Sequence, residues 1–173
     1  MNRNKFNKVS FDQYKRDNIR ELIEEWEIEE EYLSLELPKR KTKQAAGYDF
    51  HSPFSFELKP GESILIPSGV RAEIESDKYL AIYPRSSLGF KFRAQLDNSV
   101  AICDADYFKA SNEGHIMIKI SNCSFDKNRV LSVKRGEGYA QGIISPYYLT
   151  EDDDLDYKIT REGGIGSTNQ KNA

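Results

Sequence analysis

The chain has 173 residues, of which 38% are hydrophobic and 31% charged, with a mean hydropathy of -0.68. This length suits one ordinary domain, whose core needs neither disulfides nor a structural metal. Because the chain contains no apolar run long enough to cross a membrane and no apolar stretch after its polar N-terminus, we expect no membrane partner, no signal peptide and a cytoplasmic location.

Charge and cysteine content exclude two further classes of protein. Residues 1–33 carry six Lys or Arg and nine Asp or Glu, whereas the remaining 140 residues carry 19 of each. Because this larger part is neutral, we expect no non-specific binding of nucleic acid. Cys103 and Cys123 form no CxxC motif, and with only two histidines in the chain the sequence predicts no zinc cluster of ordinary spacing.

Residues 1–32 are predicted to form an N-terminal helical extension. Ser10 begins a possible capping box, and apolar residues then recur at helical spacing as far as Trp26. The acidic run 24–31 would oppose the helix dipole at the C-terminal end of such a helix. We expect a surface helix that buries Leu22 and Trp26 against the body and is not needed for chemistry. The alternative is a helix that docks a partner protein.

Residues 33–150 are predicted to form antiparallel strands. Apolar and polar residues alternate at 33–37, 70–75 and 116–120, and short apolar stretches lie at 64–66, 80–83, 130–133 and 140–144. Pro60 and Gly61 suit the central positions of a type II turn. Many short strands with frequent turns are typical of a β-sandwich or β-barrel. The polar, glycine-containing residues 151–173 predict a flexible C-terminal arm.

Five short segments carry residue types that suit chemistry. They are Ala-Ala-Gly-Tyr-Asp at 45–49, Pro-Arg-Ser-Ser-Leu-Gly at 84–89, the stretch 98–107, Arg-Gly-Glu-Gly-Tyr-Ala-Gln at 135–141, and Arg-Glu-Gly-Gly-Ile-Gly-Ser-Thr at 161–168. In the second segment, Arg85 followed by two hydroxyl groups offers the donors that phosphate oxygens prefer, although Ser86 could instead be a helix cap. In the fifth, glycines allow backbone N–H groups to close on an anion, although such a tail is often only disordered.

The third segment carries two carboxylates in an apolar context. If the segment is extended, Asp104 and Asp106 share one face. A carboxylate in an apolar strand loses hydration energy unless it has a partner or a function. Such a group could activate water or hold a metal; the alternative is the tip of a hairpin.

Together and in this order, the five segments resemble the five motifs of the trimeric dUTPase family, over about residues 33–168. The resemblance implies an all-β fold, a jelly-roll-like β-barrel. It also implies a homotrimer whose active sites take motifs from all three chains, with the C-terminal arm of one chain folding over a site on another. The implied reaction is hydrolysis of dUTP to dUMP and pyrophosphate with Mg²⁺.

The resemblance also implies a role for each matching residue. Asp49 would hold hydrated Mg²⁺ through water, and Asp104 would be the base that orients the attacking water. Asn98 would bind the uracil edge, and Tyr107 would pack on the deoxyribose and exclude a 2′-hydroxyl. The other residues implied to bind substrate are Arg85, Ser86, Ser87, Gln141, Arg161, Gly164, Ile165, Gly166, Ser167 and Thr168.

The sequence departs from the family pattern in the loop after Tyr107 and in its arm, and two alternative functions remain. After Tyr107, Phe-Lys-Ala-Ser at 108–111 replaces the usual Arg-Gly pair, and the loop to Gly114 is slightly longer. Ile165 stands where the family usually has an aromatic residue, and one residue fewer separates Arg161 from the glycines. One alternative is a dCTP deaminase, a family that shares the fold but needs a Glu where this chain has Lys119. A protonated Lys cannot move protons on the base, so deamination is disfavoured. The other alternative is a catalytically idle member that binds a protein partner.

Overall fold

The structure is a computed structural model that describes residues 4–153. Its strands are β1 (Lys5–Lys8), β2 (Tyr48–His51), β3 (Phe56–Leu58), β4 (Ser63–Pro67), β5 (Val70–Glu73), β6 (Lys78–Pro84), β7 (Ala94–Leu96), β8 (Ala101–Asp104), β9 (Met117–Asn122), β10 (Leu131–Val133) and β11 (Gly138–Pro146). Its helices are α1 (Phe11–Asp17), α2 (Glu25–Ser34) and α3 (Ser86–Phe92), with a 3₁₀ helix at Ala105–Lys109. None of the helices within the described range is long and apolar enough to cross a membrane.

The strands pair in antiparallel fashion to form four sheets. The largest has the strand order β2-β11-β6-β8, a second has the order β4-β9-β7, and β1-β5 and β3-β10 form two-stranded sheets. Over residues 4–153 these ladders do not close into one hydrogen-bonded barrel. The predicted all-β class is confirmed, and the strand regions expected from 64 onward are all present.

The sheets enclose one apolar core, and period-two alternation builds it. Ile116, Ile118 and Ile120 are each at most 2% exposed, because alternate residues of an extended segment point to the same face. Between β3 and β4, the backbone N–H of Glu62 donates to the carbonyl of Lys59 at 3.0 Å. Gly61 has φ +90°, which confirms the turn expected there.

The N-terminal extension does not form the single helix that the sequence predicts. A strand, β1, precedes α1 and pairs with β5, and residues 18–24 separate α1 from α2. The Ser10 hydroxyl caps α1 by accepting from the Gln13 backbone N–H at 3.1 Å. The Gln13 side chain, however, donates to Asp17 at 2.7 Å and does not complete a capping box with Ser10.

The acidic run 24–31 was expected at the C-terminal end of a helix, but it lies at the N-terminal end of α2 and continues along it. α2 begins at Glu25, so Glu25 and Glu27 occupy its first turn, where negative charge complements the dipole. The carboxylate of Glu24 accepts from the N3 backbone, and Glu27 accepts from the Glu24 N–H at 3.0 Å, which forms a capping box. The acidic run therefore starts a second helix and does not fray the first.

The buried face of the extension also differs from the expectation. Leu22 is fully exposed and Trp26 is 63% exposed, so the prediction that they pack against the body is wrong. The side chains that form the small apolar core of the extension are Val9, Tyr14, Ile28 and Leu35. The strand expected at 33–37 is also wrong, because α2 continues to Ser34. Leu35 follows that helix and packs into the core of the extension.

Candidate active site

Two neighbouring strands place Asp49 beside Gln141. β2 and β11 pair so that Asp49 lies directly opposite Gln141, and Gln141 lies opposite Tyr83 of β6. Side chains directly opposite in an antiparallel ladder point to the same face of the sheet. A Cβ at Gly47 would lie 2.7 Å from the Gln141 side-chain oxygen, so the amide fills space that only glycine leaves open. The backbone register therefore fixes this pair.

Arg85 joins the pair from the end of β6. Its Nε lies 3.8 Å from a carboxylate oxygen of Asp49, and its Nη1 donates to the Gly138 carbonyl at 3.2 Å. A Cβ at Gly138, the first residue of β11, would lie 2.9 Å from that Nη1, so a side chain there would displace the guanidinium. Asp49 is only 8% exposed, and the nearby cation offsets the loss of hydration of its charge.

Ser86 and Ser87 follow Arg85 in the first turn of α3, and both are exposed. Arg85 itself occupies the N-cap position, so the alternative reading of Ser86 as a helix cap is wrong. Because β6 ends at Pro84 and the helix starts two residues later, the guanidinium and the two hydroxyls lie on one short stretch of chain. This stretch is the donor set expected for phosphate oxygens.

A cavity of about 530 Å³ adjoins Arg85. Lys41, Lys91 and Arg85 supply three cationic side chains to its lining, against the single carboxylate of Glu137. Such an excess of positive charge suits a polyanionic ligand. A larger cavity of about 690 Å³ lies beside β1 and the end of β11, and its lining includes none of the predicted site residues.

Asn98 lies in the turn that joins β7 to β8. The Ser99 backbone N–H donates to the Leu96 carbonyl at 2.9 Å, and Ser99 has φ +64°. The neighbouring Asp97 forms an ion pair with Lys119 at 2.8 Å and accepts a hydrogen bond from Ser121. The hydrogen bond from Lys119, and then that from Ser121, lowers the pKa of Asp97. The turn that carries Asn98 is thus tied to β9.

Asp104 ends β8, whereas Asp106 lies in the 3₁₀ helix that follows. The two carboxylates are therefore not on one extended segment, and the expectation of a shared strand face is wrong. Asp104 is exposed, so it does not suffer the loss of hydration that the sequence argument assumed. The segment does contain a hairpin tip, at Ser99, but Asp104 lies at the end of the strand that follows this tip.

Tyr107 is 7% exposed, and two residues that sequence analysis missed hold its hydroxyl group. The hydroxyl donates to the His115 carbonyl at 2.8 Å and accepts from the Asn112 side-chain amide at 2.9 Å. Asn112 and His115 follow the loop that departs from the family pattern. Their contacts with Tyr107 form only because that loop folds back on the tyrosine, so no residue spacing in the sequence indicates their role.

One chain does not bring all of the predicted residues together. Gln141 lies opposite Tyr83 near one end of β6, and Asp104 lies opposite Tyr79 near the other end. Four residues of strand separate these positions, roughly 13 Å at a rise of 3.3 Å per residue. The predicted residues thus form two groups: a sheet group of Asp49, Arg85, Ser86, Ser87 and Gln141, and a loop group of Asn98, Asp104 and Tyr107. Arg161, Gly164, Ile165, Gly166, Ser167 and Thr168 lie outside the described residues.

Comparison with known proteins gives one consistent result. The family model described as dUTPase matches residues 34–169. The deoxyuridine 5′-triphosphate nucleotidohydrolase of Lactococcus lactis subsp. lactis is 36% identical over 135 residues, which cover 78% of this chain and 88% of that protein. The protein of the same name from Nautilia profundicola is also 36% identical, over 76% of this chain and 89% of its own length.

Solved structures agree with this result. The crystal structure of the dUTPase from Streptococcus mutans superposes with a TM-score of 0.58 at 35% identity, over 66% of this chain and 88% of that one. A Staphylococcus bacteriophage 80alpha dUTPase matches with a TM-score of 0.62 over 91% of this chain and 98% of that one. Its 20% identity supports the fold alone. The expected jelly-roll-like fold is confirmed.

Proposed function

Because the chain belongs to the dUTPase family, we propose that it hydrolyses dUTP to dUMP and pyrophosphate in a Mg²⁺-dependent reaction, with the two groups of site residues supplied by different chains of a homotrimer. It is an enzyme of that family by its match to named nucleotidohydrolases. The observation that carries the shared-site proposal is the separation of Asp104 from the sheet group along β6.

The sheet group suits the phosphates. A triphosphate carries roughly four negative charges, which a binding site must neutralise. Arg85 retains donors beyond its bond to Gly138, and the hydroxyls of Ser86 and Ser87 are exposed beside it. The cationic cavity next to Arg85 gives the phosphates a complementary environment. Gln141, held over Gly47, adds an amide donor at the same end of the sheet.

The residues of the sheet group also suit Mg²⁺ bound together with substrate. Mg²⁺ is held in such sites by one or two carboxylates plus substrate phosphates, and it keeps several waters. Asp49 is one such carboxylate, and within residues 4–153 no three acidic, His or Cys side chains form a metal cage of their own. We propose that Asp49 holds the hydrated ion through water. When bound, the ion neutralises phosphate charge in the transition state.

The loop group suits the base, the sugar and the attacking water. Asp104 is an exposed carboxylate, and water attack needs a proton acceptor within hydrogen-bond reach. The Asn98 amide offers one donor and one acceptor, which matches a uracil edge. A cytosine edge would leave those groups unpaired, which is a strong basis for rejection. We assign Tyr107 to the deoxyribose, where a rigidly held side chain leaves no room for a 2′-hydroxyl.

Both groups must act on one nucleotide, although a single chain separates them. A base acts within about 3 Å of the proton that it accepts, or through one water, and the phosphates held by Arg85 belong to the same substrate. The roughly 13 Å between Asp104 and Gln141 along β6 is too long for either contact. A second chain that presents its loop group to the sheet group of the first removes this conflict. We therefore propose sites shared between chains.

Mixing two inactive variants tests the proposal directly. Arg85→Ala disables the sheet group, and Asp104→Asn disables the loop group. If sites combine groups from different chains, an intact site takes its sheet group from an Asp104→Asn chain and its loop group from an Arg85→Ala chain. In a random mixture of equal amounts each condition is met half of the time, so about one site in four is intact. We expect each variant alone to be almost inactive in pyrophosphate release from dUTP, and the mixture to recover up to about a quarter of wild-type activity.

Two controls make this experiment decisive. In the first control, the double variant Arg85→Ala/Asp104→Asn is mixed with wild type. The activity of this mixture must not exceed the activity of the wild-type chains that it contains. Refolded wild type must regain its activity. No recovery in the mixture, with intact oligomers by light scattering, would contradict shared sites. Failure of wild type to release pyrophosphate from dUTP, or release of ammonia from dCTP, would contradict the proposed reaction itself.

A further inference from the structure

The N-terminal extension reaches the loop group through a buried histidine. The His115 side chain is 0% exposed, and its Nε2 accepts from the Gly69 backbone N–H at 2.8 Å. Because that nitrogen is an acceptor, the proton of the neutral ring lies on Nδ1. Nδ1 is 2.6 Å from a carboxylate oxygen of Asp17, at the end of α1, and donates to it. Asp17 therefore fixes both the tautomer and the orientation of His115.

The same histidine holds Tyr107 by its backbone. The His115 carbonyl accepts from the Tyr107 hydroxyl at 2.8 Å, and Asn112 donates to both oxygens, at 2.9 Å and 3.3 Å. Between them, Gly114 has φ +69°, and a Cβ there would lie 2.6 Å from the Tyr107 carbonyl. The loop thus folds back tightly on Tyr107, and a shift of His115 would move the tyrosine ring.

A second contact from the extension holds the same loop. The Ser10 backbone N–H and hydroxyl donate to the two carboxylate oxygens of Glu113 at 2.8 Å and 2.5 Å. The hydrogen bond from the Ser10 hydroxyl is the main cause of the lowered pKa of Glu113. Arg71 lies 4.0 Å from Glu113, donates to the Phe108 carbonyl at 2.6 Å and stacks 3.7 Å above the Phe108 ring. The extension therefore holds the loop that follows Tyr107 at two points, Glu113 and His115.

We propose that the extension is a positioning element for the active site: Asp17, acting through His115, and Ser10, acting through Glu113, fix Tyr107 so that the site rejects a ribose 2′-hydroxyl. This inference rests on the proposed hydrolysis of dUTP. It also reverses the expectation that the extension is not needed for chemistry. Asp17 and Ser10 touch no substrate. Their effect is on where the sugar-contacting side chain lies, and small displacements of a positioned group change rates strongly.

Substitution at Asp17 tests the proposal through sugar discrimination. Asp17→Ala removes the acceptor for His115 Nδ1–H, whereas Asp17→Asn keeps an oxygen acceptor of the same shape. We expect Asp17→Ala to lower the ratio of kcat/KM for dUTP to that for UTP by about tenfold, since a loosened tyrosine admits the 2′-hydroxyl. Asp17→Asn is expected to restore most of the ratio. Asp12→Ala, an exposed residue of the same helix, is the matched control and should leave the ratio unchanged.

The outcomes separate this inference from a purely structural role. A lower melting temperature with an unchanged dUTP/UTP ratio in folded Asp17→Ala would overturn it, as would an equal loss on both nucleotides. If Asp17→Ala does not fold, Ser10→Ala, which leaves the backbone donor to Glu113 in place, decides by the same ratio. Wild-type protein that does not hydrolyse dUTP would defeat the proposed function. Wild-type activity with an unaffected ratio in the variants would defeat only the positioning role.

Discussion

The sheet group and the loop group are held in place by different means. Asp49 and Gln141 owe their positions to strand register, and Arg85 donates a hydrogen bond to the backbone at the start of β11. Tyr107, by contrast, lies in a 3₁₀ helix, and its hydroxyl is bonded to the backbone of His115. His115 is in turn held by the side chain of Asp17, which comes from a distant part of the chain.

This difference indicates where remote substitutions should act. A backbone ladder holds its residues through many hydrogen bonds, so the loss of one distant side chain changes it little. The loop from 105 to 116 depends on a few side-chain contacts, two of which come from the N-terminal extension. Changes outside the site should therefore alter selection of the sugar before they alter binding of the phosphates.

The largest effect is expected at the loop group itself. Asp104→Asn keeps the shape of the side chain but removes its basicity, and kcat should fall by at least about 10², the usual scale for a general base. Asp106→Asn, two residues along in the 3₁₀ helix, is the matched control and should lose far less. A near-normal kcat in Asp104→Asn, measured by pyrophosphate release, would remove Asp104 from the mechanism.

Truncation after Thr160 sharpens the comparison by removing the predicted arm, which neither group includes. If Arg161, Ser167 and Thr168 bind the γ-phosphate, the truncated protein should lose most of kcat but still bind dUMP, because we assign the base and sugar contacts to the loop group. Arg161→Ala should lower kcat more than Ile165→Ala. Titration of dUMP beside kcat measurements checks this. Full turnover by the truncated protein would show that the arm takes no part.

The fold of the body was largely predictable, and the extension was not. The alternation at 116–120 encodes β9 directly, because burial of one face selects the register. In the extension, apolar residues keep helical spacing through residues 18–24, but the structure has no helix there, and Leu22 adopts φ +58°. Periodicity reports which residues share a face, but it does not report a break that tertiary contacts impose.

The sequence suggests candidate residues for the site but does not indicate how they are arranged. The motifs identify Asp49, Asp104 and Gln141, but nothing in their spacing indicates that Asp104 lies at the far end of β6 from the other two. The contacts of His115 and Asn112 with Tyr107 depend on a loop that departs from the family pattern. These contacts are specific to the folded chain and therefore have no short sequence signature.

A smaller effect distinguishes the buried face of the extension from its exposed face. Ile28→Ala should lower the free energy of unfolding by about 2–4 kcal/mol, since it leaves a cavity among side chains that are at most 9% exposed. Trp26→Ala should change it by less than about 0.5 kcal/mol, because that ring is 63% exposed. Urea unfolding at one fixed protein concentration measures both. Equal destabilisation by the two variants would contradict the observed orientation of α2.

The smallest effect is a pH dependence of stability at His115. Burial lowers the pKa of this histidine, against the opposing influence of the nearby carboxylates of Asp17 and Glu113. The unfolded chain therefore binds more protons below about pH 6.5, the ordinary pKa of His, so the free energy of unfolding should decrease as the pH falls through that value. The decrease ends below the lowered pKa and cannot exceed about 1.4 kcal/mol per pH unit for one proton.

Urea unfolding of wild type and His115→Gln between pH 5 and pH 8 measures the difference. The variant should be less stable at pH 8, and the gap in free energy of unfolding between the two proteins should narrow towards pH 5. Only the wild type has this histidine, whose protonation in the unfolded chain favours unfolding as the pH falls. A gap that stays constant with pH would show that His115 titrates equally in the folded and the unfolded chain. The link between the extension and the loop group would then not depend on pH.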